Sequence, residues 1–147
     1  MRKQGNSNPT KGTPFRRVRA DHRHESAQDY VEVIAALAER NAPVRLVDVA
    51  TALGVSSVTA SRILARLARQ GLVTRRPYRP VELTQRGRDL AREQAERHET
   101  VVNFLLALGV PKNIALLDAE GIEHHVSPAT LERMRALARI LSGSGSA

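Results

Sequence analysis

The chain reads as a mainly α protein, with an N-terminal winged helix-turn-helix domain followed by a C-terminal helical domain. Three observations predict this. Apolar residues make up 41% of the 147 residues but aromatics only 3%, so the core must be built from Leu, Val, Ile and Ala, which favours helices over sandwiches and barrels. Apolar residues recur at helical spacing along most of the chain, and Gly and Pro punctuate the periodic runs. The stretch "VDVATALGVSSVTASRILARLARQGLV" carries the spacing of a helix-turn-helix and is followed by a short basic hairpin.

Residues 1–25 scatter Gly, Pro, Asn, Ser and Thr among Arg2, Lys3, Lys11, Arg16, Arg17, Arg19 and Arg23. No apolar period is visible there, so a disordered basic arm is expected, serving as a phosphate-contacting tail or a solubilising extension. His22 and His24 belong to it. The DNA-binding domain is expected over 26–84. Its first helix opens at Ser26, a good N-cap, carries Tyr30, Val33, Ile34, Leu37 and Ala38 as an apolar stripe, and stops before Pro43.

A short helix then sends Val47, Ala50 and Leu53 inward, and Gly54 makes the turn. Ser56 caps the second helix, whose Val58, Ile63, Leu64 and Leu67 face inward. Small Ala50, four residues before the glycine, lets the helices cross closely. Ile63, nine residues after it, locks them together. Ser57, Thr59, Ala60, Ser61, Arg62 and Arg66 are expected to face outward. Short hydroxyl side chains can approach base edges in a major groove, and arginines can reach phosphates or guanine edges. Strands at Leu72–Arg75 and Val81–Thr84 flank a tip at Arg76–Pro80, which makes the wing. Arg75, Arg76 and Arg79 suit contacts to the DNA backbone beside the groove. The plain alternative is a helical hairpin with a solvated arginine face.

The helical domain is expected over 85–141. Thr84 caps a long helix that runs to about Leu108, where Gly109 closes it. A further helix starts at Pro111 and runs through "EGIEHH". The last opens with Ser127 as N-cap and Pro128 at its first position. "SGSGSA", 142–147, reads as a flexible tail.

Composition also excludes function classes. There is no cysteine, which removes disulfides, thiolate zinc sites, iron–sulfur ligation and a Cys nucleophile, and fits a reducing cytoplasm. No apolar run approaches the ~18–20 residues of a membrane span, and no apolar segment follows the basic N-terminus as a secretory signal requires. The net charge of +8 points to a polyanionic partner.

The acidic residues form a second pattern. Asp29 and Glu32 lie three apart on the first helix, on a face adjoining its apolar stripe. His98 sits in the long helix within an apolar-periodic run. Glu120 and Glu123 lie three apart, with His124 beside them. Each carboxylate pair alone fits a solvated helix face, and a lone His98 fits a satisfied interior histidine. If the three helices pack together, four carboxylates and two imidazoles converge, and converging carboxylates repel unless a cation neutralises them. Oxygen and imidazole donors without sulfur suit Mn²⁺ best, with Fe²⁺, Co²⁺, Zn²⁺ or Cd²⁺ able to compete in vitro. Asp118 and His125 fall outside this set.

In this order the winged helix, "DYVE", "RHE" before an apolar run and "DAEGIEHHVS" resemble the manganese-responsive branch of the DtxR family of metal-dependent regulators, over roughly residues 24–141. The resemblance implies a winged-helix domain and a helical dimerisation domain with one or two metal ions held between them. It also implies that Asp29, Glu32, His98, Glu120, Glu123 and His124 are the ligands. Iron-responding relatives place soft Met and Cys ligands where this chain has Asp29 and Glu120, so oxygen donors at both favour Mn²⁺. The SH3-like third domain of larger relatives is not expected, and the basic arm resembles the proteobacterial branch.

The function expected is that of a cytoplasmic, homodimeric repressor of manganese-uptake genes. It binds a palindromic double-stranded operator and needs no membrane and no organic cofactor. "VVNFLLALGV" and the 128–141 helix supply the dimer surface. Metal ties the first helix to the dimer core and so fixes the spacing of two recognition helices. Three readings compete: a MarR-type regulator answering an organic ligand, an iron(II)-responsive repressor of the same family, and a metal-dependent hydrolase. The last needs an open coordination position and a cleft, for which the remaining chain leaves little room.

Overall fold

Six helices and one two-stranded hairpin make up the described residues, 27–40 and 42–143, of the computed structural model. They are α1 (27–38), α2 (Leu46–Leu53), α3 (Ser57–Arg69), β1 (Val73–Thr74), β2 (Glu82–Leu83), α4 (Gln85–Ala107), α5 (Lys112–Ile122) and α6 (Pro128–Gly143). The architecture is the mainly helical one expected. The basic arm 1–25, the Ser26 cap and 144–147 of the tail lie outside the described residues.

Local chemistry sets most boundaries. Ser56 caps α3 by accepting the Thr59 N–H at 3.1 Å, Thr84 caps α4 through the Gly87 N–H at 3.0 Å, and Ser127 accepts the Thr130 N–H at 3.2 Å. Gly54 ends α2 in the left-handed region at φ 64°, which only glycine adopts without strain. There α3 turns 109° from the direction of α2, as a helix-turn-helix requires. β1 and β2 pair antiparallel, Val73 with Leu83 and Thr74 with Glu82. Both strands are shorter than expected. The Val81 N–H also bonds back to the Val44 carbonyl at 2.8 Å, fastening the wing to the segment before α2.

Two cores form. The first gathers Tyr30, Val31 and Ile34 of α1, Val49 and Ala50 of α2, Ala60, Leu64 and Leu67 of α3, then Leu72, Val73, Val81 and Ala91. The second joins Val101 and Val102 of α4 to Ala119 and Leu131, with Leu105, Ile122, Val126 and Met134 packed against it. A fully buried Leu or Ile contributes roughly 1.5–3 kcal/mol. The long helix α4 therefore belongs to both cores, its N-terminal half to the first and its C-terminal half to the second.

Several orientations differ from expectation. Val47 and Val58 are exposed at 54% and 70%, while Ala60 is fully buried. Each short helix has one inward stripe, Leu46–Val49–Ala50–Leu53 in α2 and Ala60–Ile63–Leu64–Leu67 in α3, and neither valine lies on it. α5 stops at Ile122, so Glu123 and His124 stand on the turn beyond it. α6 continues to Gly143, into the stretch expected as tail. Val101 and Val102 fill the inner core; the exposed apolar residues of this half are Leu106, Leu108, Ile114, Leu116, Leu117, Leu137, Ile140 and Leu141. An apolar surface of that extent is characteristic of an association face. Among the described residues no single helix is long and apolar enough to cross a membrane.

Candidate metal centre and nucleic-acid face

The acidic and imidazole side chains meet at the seam between the two cores. α1 brings Asp29 and Glu32, α4 brings His98, the last turn of α5 brings Glu120, and the following turn brings Glu123 and His124. His98 Nδ1 lies 2.6 Å from Glu123 Oε2 and 3.8 Å from Glu120 Oε1. Donor atoms of these three all lie within 4.8 Å of one another. His124 Nε2 lies 3.5 Å from Glu123 Oε1 and 3.8 Å from Asp29 Oδ1, which links the group to α1. Glu32 faces the same carboxylates, since Glu123, Asp29 and Glu120 all act on its titration. Asp118 and His125 are not in this group, and both are exposed.

Burial and like charge make the site costly without a cation. The Glu123 side chain is only 2% exposed. Burial first, and Glu120 beside it, hold its carboxyl above the usual range, against the opposing hydrogen bond and charge of His98. Burial and then Glu123, Asp29 and Glu120 push Glu32 up to about 7. Four carboxylates and two imidazoles, with no sulfur, fit a hard or borderline divalent ion.

Glu32 gives a pH signature. Its folded pKa lies above its ordinary 4.5, so without metal the folded chain holds a proton that the unfolded chain releases. That contribution to stability is complete below about 4.5 and lost as pH rises through about 7. Thermal unfolding in chelator from pH 5 to 8 is expected to show wild type losing stability relative to Glu32→Gln over this window. Parallel pH profiles would contradict it.

Supporting side chains complete the centre. The Gln28 amide oxygen sits 3.3 Å from His124 Nδ1. An amide oxygen only accepts, so this contact suits the tautomer with the proton on Nδ1, in which Nε2 is the nitrogen that can ligate. Arg97 donates to the backbone carbonyls of Glu123 and Val126. Neither Gln28 nor Arg97 was expected from the sequence. Arg97 adjoins His98 in "RHE", the only hint available.

The recognition face also differs in detail. Ser57, Val58, Thr59 and Arg62 of α3 are exposed, so an apolar Val58 joins the short hydroxyls and can meet a thymine methyl. Ser56 is occupied as the cap, its Oγ also donating to Thr59 Oγ1 at 2.9 Å. Ser61 takes both Arg75 guanidinium nitrogens, on its carbonyl at 2.9 Å and its Oγ at 2.8 Å, which ties the wing to the recognition helix. Arg66 turns inward: its Nε and one terminal nitrogen are buried, within electrostatic range of Tyr30. The outward position expected for it is not found. Arg76 and Arg79 are exposed at the wing tip, on either side of fully exposed Tyr78.

Residues 23–81 match the family described as iron dependent repressor, N-terminal DNA binding domain, and residues 84–141 its metal binding and dimerisation domain. The chain is 51% identical over 121 residues to the transcriptional regulator MntR of Escherichia coli (strain CFT073), covering 82% of this chain and 78% of that protein. It is 32% identical over 109 residues to the HTH-type transcriptional regulator MntR of Bacillus subtilis (strain 168), covering 74% and 77%. Among solved structures, a manganese-dependent transcriptional repressor in complex with manganese superposes with a TM-score of 0.68 at 36% identity, over 76% of this chain and 52% of that one. The manganese regulator SloR gives 0.66 at 25% identity, over 77% and 53%. The chain thus spans about half the length of these solved relatives.

Proposed function

The chain belongs to the iron-dependent repressor (DtxR/MntR) family, and from that premise we propose that it is a cytoplasmic, homodimeric, Mn²⁺-activated repressor that silences manganese-uptake genes. One observation carries the reading: donors on α1, in the DNA-binding unit, converge with donors on α4, α5 and the 123–124 turn, in the helical unit. Asp29, Glu32, His98, Glu120, Glu123 and His124 would hold the ion. A divalent cation there supplies the positive charge that lets all four carboxylates ionise together.

The chain's own residues do the rest. Glu123 and His124 stand on a turn fixed to α4, while Asp29 and Glu32 are rigid parts of α1, which packs on α3 through the first core. Ionised and unneutralised, the two sets repel and loosen the seam. Neutralised, they draw α1 against α4, and the recognition helices of the dimer take one fixed spacing. That lowers the conformational entropy lost on binding a palindromic operator. Ser57, Thr59 and Arg62 read the major groove, and Arg76 and Arg79 hold the flanking phosphates. Arg75 acts through Ser61, keeping the wing aligned with α3.

Fluorescence anisotropy with a palindromic operator from a manganese-uptake promoter tests this, at fixed salt because phosphate contacts make affinity salt-dependent. Binding is expected to tighten by about 5–150-fold from chelator to Mn²⁺, the usual range of an allosteric coupling. Equal affinity in the two states would exclude the metal switch and favour a MarR-type regulator.

A further inference from the structure

We infer that Arg97 is a positioning residue for the metal centre, a strut that sets the place of Glu123 and His124 without touching the ion. This rests on the ligand assignment above. The two ligands stand at and just beyond the C-cap of α5, where the Glu123 N–H makes a last helical bond to the Ala119 carbonyl at 3.0 Å and the carbonyls that follow have no partner in the helix. One Arg97 terminal nitrogen donates to the carbonyl of Glu123 at 2.5 Å and to that of Val126 at 2.8 Å. The two bonded residues bracket His124, so the whole ligand-bearing turn is clasped from one point on α4. The next residue, His98, holds the Glu123 side chain at 2.6 Å. Consecutive residues of one rigid helix thus fix the backbone and the carboxylate of the same ligand.

The chemistry of the pair explains why arginine is needed. The carbonyls of Glu123 and Val126 must find donors, and a single Arg97 terminal nitrogen at the end of a long reach serves both. Lysine offers N–H donors there too, but on a more flexible and more strongly hydrated head. Methionine fills similar space and offers no donor. Arg97 also carries a cost: its Nε is buried without a hydrogen-bond partner, which an apolar side chain would avoid. The two carbonyl bonds are what offsets that cost.

The test compares wild type, Arg97→Met, Arg97→Lys and Glu120→Ala as full-length dimers. Mn²⁺ affinity is expected to fall about 10–100-fold in Arg97→Met, the usual size of losing a group that orients ligands, with a smaller fall in Arg97→Lys. In the metal-free proteins, amide exchange at residues 123–126 is expected to quicken in Arg97→Met while α4 keeps its protection. At saturating Mn²⁺, operator affinity is expected within about twofold of wild type, so only the metal threshold moves. A purely structural role would instead lower the saturated affinity. Unchanged Mn²⁺ affinity and exchange in Arg97→Met, with Glu120→Ala inactive, would overturn the inference alone. An unaffected Glu120→Ala would overturn the ligand assignment beneath it. If Arg97→Met fails to fold, Arg97→Lys decides by the same two readouts.

Discussion

Replacing Glu120 by alanine is expected to abolish Mn²⁺-dependent operator binding while leaving the dimer folded. Both halves follow from where the residue stands. Its side chain is 68% exposed, on the last turn of α5, and substitutions at such positions usually change stability by no more than about 0.5 kcal/mol. Alanine is also the better helix former. Removing the carboxylate relieves Glu32 and Glu123, whose ionisation it opposes. The metal-free protein therefore keeps its fold. On the proposed ligand assignment the site loses its function, because Glu120 is gone from the cluster with His98 and Glu123. Loss of a direct ligand is expected to weaken Mn²⁺ by more than about 100-fold, beyond the usual effect of outer groups. Calorimetric titration with Mn²⁺ and operator anisotropy measure the two consequences, and circular dichroism checks the fold. Full Mn²⁺-dependent binding by Glu120→Ala would remove this residue from the site.

Gly87→Ala is expected to have the largest effect on stability. Gly87 lies in the first turn of α4, buried against the wing. A Cβ there would overlap the Leu72 carbonyl oxygen and crowd Leu83 Cδ2 at 3.1 Å. The obstacle is backbone, which cannot rotate aside. That carbonyl also accepts the Thr84 N–H at 3.0 Å, so moving α4 away breaks the bond that ties its start to the segment before the wing. Helix propensity favours the alanine by up to about 1 kcal/mol, and overpacking against a fixed backbone costs about 3 kcal/mol or more, so the clash wins. At equal protein concentration the net loss of about 2 kcal/mol is expected to lower the melting temperature by roughly 4–8 °C, at ~2–4 °C per kcal/mol. Gly121, in α5, gives the contrast: nothing lies within 4 Å of an added Cβ, so the same substitution is expected to stabilise by roughly 0.5–1 kcal/mol. A Gly87→Ala variant that melts with wild type would mean α4 does not approach the wing this closely.

The same glycine shows how the molecule is coupled. α4 begins against the wing hairpin, contributes Ala91 to the first core, presents His98 at the seam and contributes Val101 to the second core. A single rigid helix therefore joins the recognition unit, the metal centre and the association face. α1 is the other side of the seam, tied by Gln28 and Asp29 to His124.

The sequence by itself determined the mainly helical class, the helix-turn-helix with its hairpin, the caps at Ser56, Thr84 and Ser127, the turn at Gly54, and the candidate donors from Asp29 to His124. These are local matters. A cap needs one side chain and an N–H three residues on, and a helix stripe repeats every 3.6 residues whatever lies beyond it. Tertiary structure decided what local rules leave open. Val58 faces out, Ala60 faces in and Arg66 folds inward, because packing against α1 and α2 selects one stripe of a helix on which both valine and alanine are tolerated anywhere. It brought Arg97 to carbonyls 26 and 29 residues away and Gln28 to an imidazole 96 residues away. Side chain bonds to distant backbone leave no spacing in a sequence, since any residue type with a backbone can accept them. The candidate donors were legible because metal binding demands particular side chains; the residues proposed to aim them were not, because aiming depends on where the chain returns.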